Sequence, residues 1–500
     1  MKGENLMKQE NKILTTKKAL IYAVGIFGVQ LFIGYMNSFQ TEFYNKMYSG
    51  FDGNIFYASA VIIFAAKLIS CIFDPLIGAM IDKSNLKGGK MRPWVLRSAF
   101  PLAVLTTLIF IYIPFDSFGS SGKALLYAYI TLTTVLWNIA MSFADIPSQG
   151  MLSLLSPDAE ERNVAASFSN IAKSVALAVP GVFVTVIMLM LNLIKGEGNY
   201  PDKEYYLVTA LVMFVLGTAL YLLIYFCNRE TVPSGQSASS VSFKEMFTEI
   251  RTNKMILIVF LIYILGFART MPLIVCVQAN GALIGKVSLL GMTMDTTADA
   301  TWLPGLLGGL TGIIGISIVP LINKKLGEKK TYIGFSAATF LFTAACCIFY
   351  WLVPADSALR YGNAALFMVM IMQFFSSFFM SANTYIPLVM TADIVDWQLW
   401  KTGKRKEGVN FAILSMAIKL SNALCVAAGL LMIAFSGYTQ VVYETGSIPV
   451  RTQNIVMFAF LGFAGVSSLI SAIPMLFYKI DEKTKKLMHE ANAKAEVTES

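Results

Sequence analysis

Six ionisable residues stand inside stretches that are otherwise apolar: Lys67, Asp74, Asp145, Lys173, Arg269 and Lys419. An ionised group at mid-bilayer costs about 2.5–3.5 kcal/mol on insertion scales, so such groups pair with one another or line a polar cavity. Asp74 could take up a cation or a proton, or could be a structural carboxylate balanced by Lys419. Lys419 in turn either restrains and releases Asp74 or only neutralises it. Asp145 lies two residues before Pro147. Proline has no backbone N–H, so it frees a carbonyl, as a binding-site kink would. Trp137, Met141 and Asp145 share one helix face at i, i+4 and i+8. A ring to stack on a pyranose and a carboxylate to accept its hydroxyls make a reasonable sugar site; the competing reading pairs Asp145 with a lysine. Lys173 either lines a cavity or snorkels, and Lys67 is either a structural partner of Asp74 or a functional cation. Arg269 stays charged at any relevant pH and can grip a carboxylate through two hydrogen bonds. It points to an anionic solute, unless it pairs with a cavity acid or snorkels near a helix end.

These residues need apolar helices to hold them. Of the 500 residues 56% are hydrophobic and 14% charged, with a mean hydropathy of +0.64. A soluble chain carries about 25% charged residues, so much of this surface must face lipid. Twelve stretches are long enough to span, at 19–39, 56–81, 94–114, 124–146, 164–194, 205–228, 255–280, 302–322, 331–353, 361–390, 409–435 and 454–478. The fold class expected is an all-α membrane protein of twelve transmembrane helices. Residues 1–18 are polar and Lys-rich, and the apolar stretch after Lys17 and Lys18 has no small-residue cleavage site, so it reads as the first span. Most of the 39 Lys and Arg fall in the termini and the even-numbered loops. Positive charge marks the inside, which makes both termini cytoplasmic in a bacterial inner membrane. The net charge of +9 therefore speaks for orientation in the bilayer and not for nucleic acid.

Several chemistries are excluded. The six cysteines lie in or beside apolar runs, and the only histidine is His489 in the polar tail. That argues against a disulfide framework and a zinc site. No Gly-x4-Gly-Lys-Ser/Thr loop is present to bind a nucleotide. No enzyme activity, cofactor or metal is expected; the partners expected are a small solute, a coupling ion and the lipid bilayer, with the monomer as the working unit.

The polar stretch from Arg229 to Lys254 separates six spans from six. The expected domains are 1–228, a cytoplasmic connection at 229–254, 255–478 and a cytoplasmic tail at 479–500. The two halves resemble each other weakly. Asp145-Ile146-Pro147 matches Tyr385-Ile386-Pro387, 240 residues later, and Lys173 matches Lys419. Two six-helix halves related by a parallel repeat are the plan of major facilitator transporters, which hold their solute between the halves near mid-membrane.

Three sequence blocks make the resemblance more specific. They are Asp74-Pro75-Leu76-Ile77-Gly78 with Asp82 and Gly89-Lys90-Met91-Arg92-Pro93-Trp94; Asp145-Ile146-Pro147 with Glu161-Arg162; and Asp393-Ile394-Val395-Asp396-Trp397 through Gly403, Arg405 and Glu407 to Lys419. Together they resemble the glycoside–pentoside–hexuronide:cation symporters, the melibiose permease-like family. The resemblance implies a sugar-type substrate and symport of a proton or sodium. Carried over residue by residue, it places the cation-coupling positions at Asp74, Ser70, Ser142 and Lys419. The substrate positions are Gln30, Trp137, Asp145, Gln149, Asn170 and Lys173, to which the lone charge of Arg269 adds itself. This chain departs from the pattern where Ser70 replaces an acid, Phe73 an amide and Gln30 an acid. Sodium prefers several hard oxygens, carboxylates above all, so these losses weaken the case for sodium. They also make the cavity more basic, which favours an anionic solute such as a uronide.

Asp82, Lys90, Arg92, Arg162, Asp393, Asp396, Lys404 and Arg405 fall in loops on the cytoplasmic rim. Salt bridges there can latch one conformation and break in the other, which makes these residues gating elements. Positive-inside topology accounts for the basic ones equally well, but not for the acids. The function expected is secondary transport of a glycoside, oligosaccharide or hexuronide by alternating access, with an uncoupled facilitator as the alternative. A membrane sensor or enzyme fits less well, because no soluble domain is attached.

Overall fold

The computed structural model describes residues 14–84, 86–156, 159–195, 202–231, 243–289, 292–297, 302–403, 407–438, 448–480, 484, 485, 487 and 488. The helices are α1 Thr16–Tyr48, α2 Ile55–Lys83, α3 Arg92–Ile109, α4 Gly122–Leu154 and α5 Ala159–Lys195, then α6 Asp202–Val212 and α7 Thr218–Cys227, which run on through a π-helical turn. After them come α8 Phe243–Thr252, α9 Lys254–Leu265, a 3-10 turn at Phe267–Thr270, α10 Met271–Ile274 and α11 Cys276–Leu283. A small antiparallel hairpin, β1 Lys286–Leu289 and β2 Met292–Asp295, precedes α12 Trp302–Leu326, α13 Glu328–Leu352, α14 Gly362–Thr402 and α15 Glu407–Ser436. The last span is α16 Val450–Met457 and α17 Phe463–Met475, again joined through a π-helical turn.

All twelve expected spans are helical. Among the described residues nine helices are long and apolar enough to cross a membrane, and ten if Lys254–Leu265 and Phe267–Ile274 form one span. Helices α3 and α12 occupy the other two positions. The seventh span differs from a continuous helix: it bends by 49° at Gly266. Lipid offers no hydrogen bonds, so the break must be satisfied from within the protein. Ser467 of α17 does this twice, donating to the Leu265 carbonyl at 2.8 Å and accepting from the Ala268 N–H at 3.1 Å.

The chain forms two compact units, residues 1–52 with 72–240 and residues 53–71 with 241–500. In the first, α1 is the central helix. Tyr22, Phe32, Tyr35, Phe39, Phe43 and Tyr44 along it are all buried, and Tyr35 donates to the Tyr206 carbonyl at 2.7 Å. Small residues let its neighbours approach closely. A Cβ on Gly28 would lie 2.5 Å from the Tyr221 nitrogen, and one on Gly34 would lie 2.8 Å from the Ala176 oxygen. In the second unit α12 admits α14 the same way, since a Cβ on Gly308 would meet Gln373 at 2.7 Å. Helix α8, inside the polar connection, docks through the buried Glu249. Its carboxylate accepts from Gln398 at 2.6 Å and Asn253 at 3.1 Å, and Asn410 donates to Gln398 at 2.9 Å.

Gly28→Val should destabilise the first unit by about 1–3 kcal/mol, the range for overpacking a close contact. Nothing lies within 4 Å of a Cβ at Gly78, so Gly78→Ala serves as the tolerated control. Thermal melting of the purified protein in detergent compares them; equal melting temperatures would contradict the packing described.

Candidate functional site

In the first unit the site is built around Pro147, inside α4. Two tyrosines from other helices donate to carbonyls on either side of it. Tyr22 of α1 donates to the Ser148 carbonyl at 2.7 Å, and Tyr221 of α7 donates to the Ala144 carbonyl at 3.0 Å. Asp145 sits two residues before Pro147, half-buried, and its carboxylate accepts from the Gln149 amide at 2.7 Å. Lys173 of α5 donates to the other end of that amide at 3.4 Å. An amide therefore stands between carboxylate and ammonium, and among the described residues Asp145 makes no direct ion pair. Asn170 is exposed one turn from Lys173 on α5. These four residues present donors and acceptors of both charge signs, which suits a polyhydroxylated solute.

The other expected substrate residues of this unit are buried. Trp137 is 5% exposed, and its indole N–H donates to Thr106 of α3 at 2.8 Å. Gln30 is buried on α1. Of the expected coupling residues, Ser142 is buried with its hydroxyl on the Asn138 carbonyl at 3.2 Å, and Asp74 is half-buried on α2.

The second unit holds Arg269 in the 3-10 turn of the broken span. Pro387 of α14 lacks an N–H, so the Asn383 carbonyl four residues earlier loses its helical partner. Arg269 supplies one, donating from Nη1 to the Asn383 oxygen at 3.1 Å, and its guanidinium lies 3.9 Å from the centre of the Tyr263 ring. The Asn383 side chain is itself engaged, accepting from Ser336 at 3.1 Å and donating to Ser468. Among the described residues Arg269 meets no carboxylate. Thr270 beside it donates to Asn422 of α15 at 3.5 Å, one turn from the half-buried Lys419. Ser70 and Lys67 belong to this unit, with Lys67 beside the thiols of Cys71 and Cys425. Asp74 and Lys419 belong to different units.

The rim residues follow a different logic. The backbone N–H groups of Lys90, Met91 and Arg92 all donate to the Glu230 carboxylate, at 2.8, 2.8 and 2.9 Å. Arg92 adds a bond from Nε to the Tyr225 carbonyl at 2.6 Å. Glu230 thus caps the amino end of α3, a natural anion position. Glu161 accepts from the Leu14 N–H at 2.9 Å and from Ser156 at 2.7 Å, while Arg162 donates to the Ser156 carbonyl at 2.9 Å. In the second unit Lys485 of the tail bridges Asp393, at 2.7 Å, and Glu328. Burial pulls the Lys485 ammonium down, but its hydrogen bonds to the Asp393 and Glu328 carboxylates and their charge outweigh this and hold its pKa above the ordinary lysine value. Asp396 is half-buried. The side chain of Asp82, and Lys404 and Arg405, lie outside the described residues.

Glu230, Glu328 and Lys485 escaped the reading of the sequence. The carboxylate that caps the start of α3 comes 140 residues after Lys90.

Over residues 21–482 the chain matches the family described as MFS/sugar transport protein. It is 24% identical to the isoprimeverose transporter of Lactiplantibacillus pentosus, over 95% of this chain and 90% of that one. It is 23% identical to a proposed sulfoquinovose importer of Escherichia coli (strain K12), over 95% and 93%. Its fold is similar to the crystal structure of a D-xylose–proton symporter, with a TM-score of 0.60 at 13% identity, covering 92% of this chain and 97% of that one. The expected major facilitator fold is therefore borne out.

Replacing Lys485 by Ala leaves two carboxylates facing each other and unties the tail. Limited trypsin digestion at Lys479 should become about tenfold faster, the change in open population that ~1.4 kcal/mol gives. An unchanged rate would mean that the bridge does not hold the tail.

Proposed function

We propose, from the premise that this chain belongs to the MFS/sugar transport protein family, that it is a cation-coupled symporter of an anionic sugar-type solute in a bacterial inner membrane. The observation that carries the proposal is Arg269. A neutral donor would suffice to repair the Asn383 carbonyl, yet a permanent charge stands there, with one of its five donors used and no carboxylate among its described partners. A charge in a span is costly unless something offsets it, and an anionic solute would. Asp145, Gln149, Asn170 and Lys173 in the first unit are suited to sugar hydroxyls. Asp74, with Ser142 of the same unit as a further oxygen, takes the coupling proton or sodium; Ser70 and Lys419 are the coupling positions of the second unit. Transport follows alternating access, with the rim contacts of Arg92 and Arg162 in one unit, and of Asp393 and Asp396 in the other, making and breaking as access changes. Both termini face the cytoplasm. Among relatives, the one named for sulfoquinovose import supports a modified sugar, and the isoprimeverose transporter supports a saccharide. One observation favours an uncoupled facilitator instead: Phe73, 40% exposed, stands where the resembling family has a coordinating amide.

The test is uptake of labelled uronides and neutral glycosides into vesicles, with proton and sodium gradients imposed separately. Arg269→Gln keeps an N–H donor while removing the charge and its contact with the Tyr263 ring. It should lower uronide uptake about 100-fold, the scale for losing one partner of a desolvated charge pair, without changing the melting temperature. Faster uptake of neutral glycosides than uronides by the wild type would overturn the anionic reading. Asp74→Asn should abolish accumulation against a gradient while exchange of solute persists. Accumulation retained by that variant would move the coupling site elsewhere.

A further inference from the structure

We propose that Lys67 is a second anion-binding residue of the solute site, and that the solute carries two negative charges, on one phosphate group or on two carboxylates. The proposal rests on the reading that Arg269 meets an anionic solute.

Charge inside the second unit is one-sided. Its spans at 255–280, 302–322, 331–353, 361–390, 409–435 and 454–478, with its share of α2 at 53–71, contain Lys67, Arg269 and Lys419 and no Asp or Glu. The nearest acid on α2 is Asp74, which belongs to the first unit. It follows Lys67 by seven residues, beyond the i+3 and i+4 positions that pair on a helix face. Lys67 also lies far from either end of its helix. It stands twelve residues after Ile55, about 18 Å of helix, and sixteen before Lys83. That is further than a lysine stem snorkels.

The direction of Lys67 is set by the stripe it continues. Phe56, Ala60 and Ile63 precede it at the spacing of one helix face, and they are buried in one cluster with Met271, Val275, Cys425 and Val426. Lys67 is the next position on that face, and it is half-buried. Among the described residues the neighbours of its ammonium are the thiols of Cys71 and Cys425, and no oxygen accepts from it. Arg269 comes to the same place from another helix. The Cys425 thiol lies within Coulombic reach of Arg269 as well as of Lys67, and Thr270, next to Arg269, hydrogen-bonds it. Thr270 also donates to Asn422 at 3.5 Å.

Two cations from two helices thus converge on one residue of α15, with a hydroxyl and an amide beside them. Like charges repel strongly where the dielectric is low. A carboxylate would compensate one of these two cations, whereas a dianion compensates both. Arginine grips an oxyanion through paired donors and lysine meets it as a point charge. The pair can therefore share one phosphate or take a carboxylate each.

The test uses the full chain in neutral detergent with glucose, glucuronate, digalacturonate or a hexose phosphate added. Binding raises the melting temperature by mass action, so the concentration that gives half the rise ranks the four probes. At least one dianion should act at about tenfold lower concentration than glucuronate, the scale of one charge-assisted hydrogen bond. Glucose should be the weakest. Lys67→Gln should erase the tenfold preference and Lys67→Arg should keep it, whereas a lysine that only packs would change stability and leave the ranking alone. Preference for digalacturonate supports two carboxylates, and preference for the hexose phosphate supports a single phosphate. Glucuronate acting at the same concentration as both dianions would overturn the second charge and leave the reading of Arg269 standing. Glucose acting as well as the anions would overturn both. A dianion preference retained in Lys67→Gln would remove Lys67 from the site. If that variant does not fold, the ranking in the wild type and in Lys67→Arg decides.

Discussion

Hydrocarbon supplies no hydrogen bonds, so every break in a spanning helix has to be repaired by a side chain from a neighbour. Three places beside the candidate sites show how far this reaches. On either side of Pro147 the hydroxyls of Tyr22 and Tyr221 donate to the Ser148 and Ala144 carbonyls. At Gly266 the repair comes from Ser467. The carbonyl freed by Pro387 is taken by Arg269. Each repair fixes two helices to one another at a point where backbone and a charged side chain come within a turn of each other. The need for satisfied backbone thus decides where charged groups can stand.

The proline repeat makes this concrete. Pro147 and Pro387 stand 240 residues apart in matching tripeptides, and each carries a charge beside its break, Asp145 in one unit and Arg269 in the other. The carboxylate belongs to the proline-bearing helix itself and reaches an amide. The guanidinium comes from a different helix and reaches the backbone. One motif duplicated in sequence has therefore come to hold opposite charges by different routes. The N-terminal copy keeps its charge inside the Ile-Pro motif, whereas the C-terminal copy has Tyr385 there and receives its charge from outside.

Much of this was legible from residue order alone. Apolar runs of about twenty residues located all twelve helices, because in lipid the helix is the only local solution for a single segment. The prolines and the intramembrane charges marked the candidate sites for the same reason. What could not be read was pairing across long separations. Glu230 on the amides of residues 90–92, Lys485 between Glu328 and Asp393, and Glu249 beneath Gln398 each join segments far apart in the chain. Hydropathy carries no information about such partners. The break at Gly266 was hidden for a related reason: its repair by Ser467 lies about 200 residues away, and nothing local announces it. Trp137 shows the limit of periodicity. Its spacing to Asp145 is that of one helix face, yet its indole turns to Thr106 on α3, because a buried indole N–H needs an acceptor.

The same accounting separates structural from functional charge. Arg360 is fully buried, but Tyr350, Val353, Gln453 and Asn454 all accept from it. Its donors are spent inside the protein, and a structural role explains it completely. Arg269 has a single oxygen and one aromatic face. Two arginines of the same unit thus differ in how much of their capacity is already used, and Arg269 has the larger remainder. Capacity left over in a membrane span is costly by the rule that placed it there, and that is the ground of the proposal that Arg269 meets a solute.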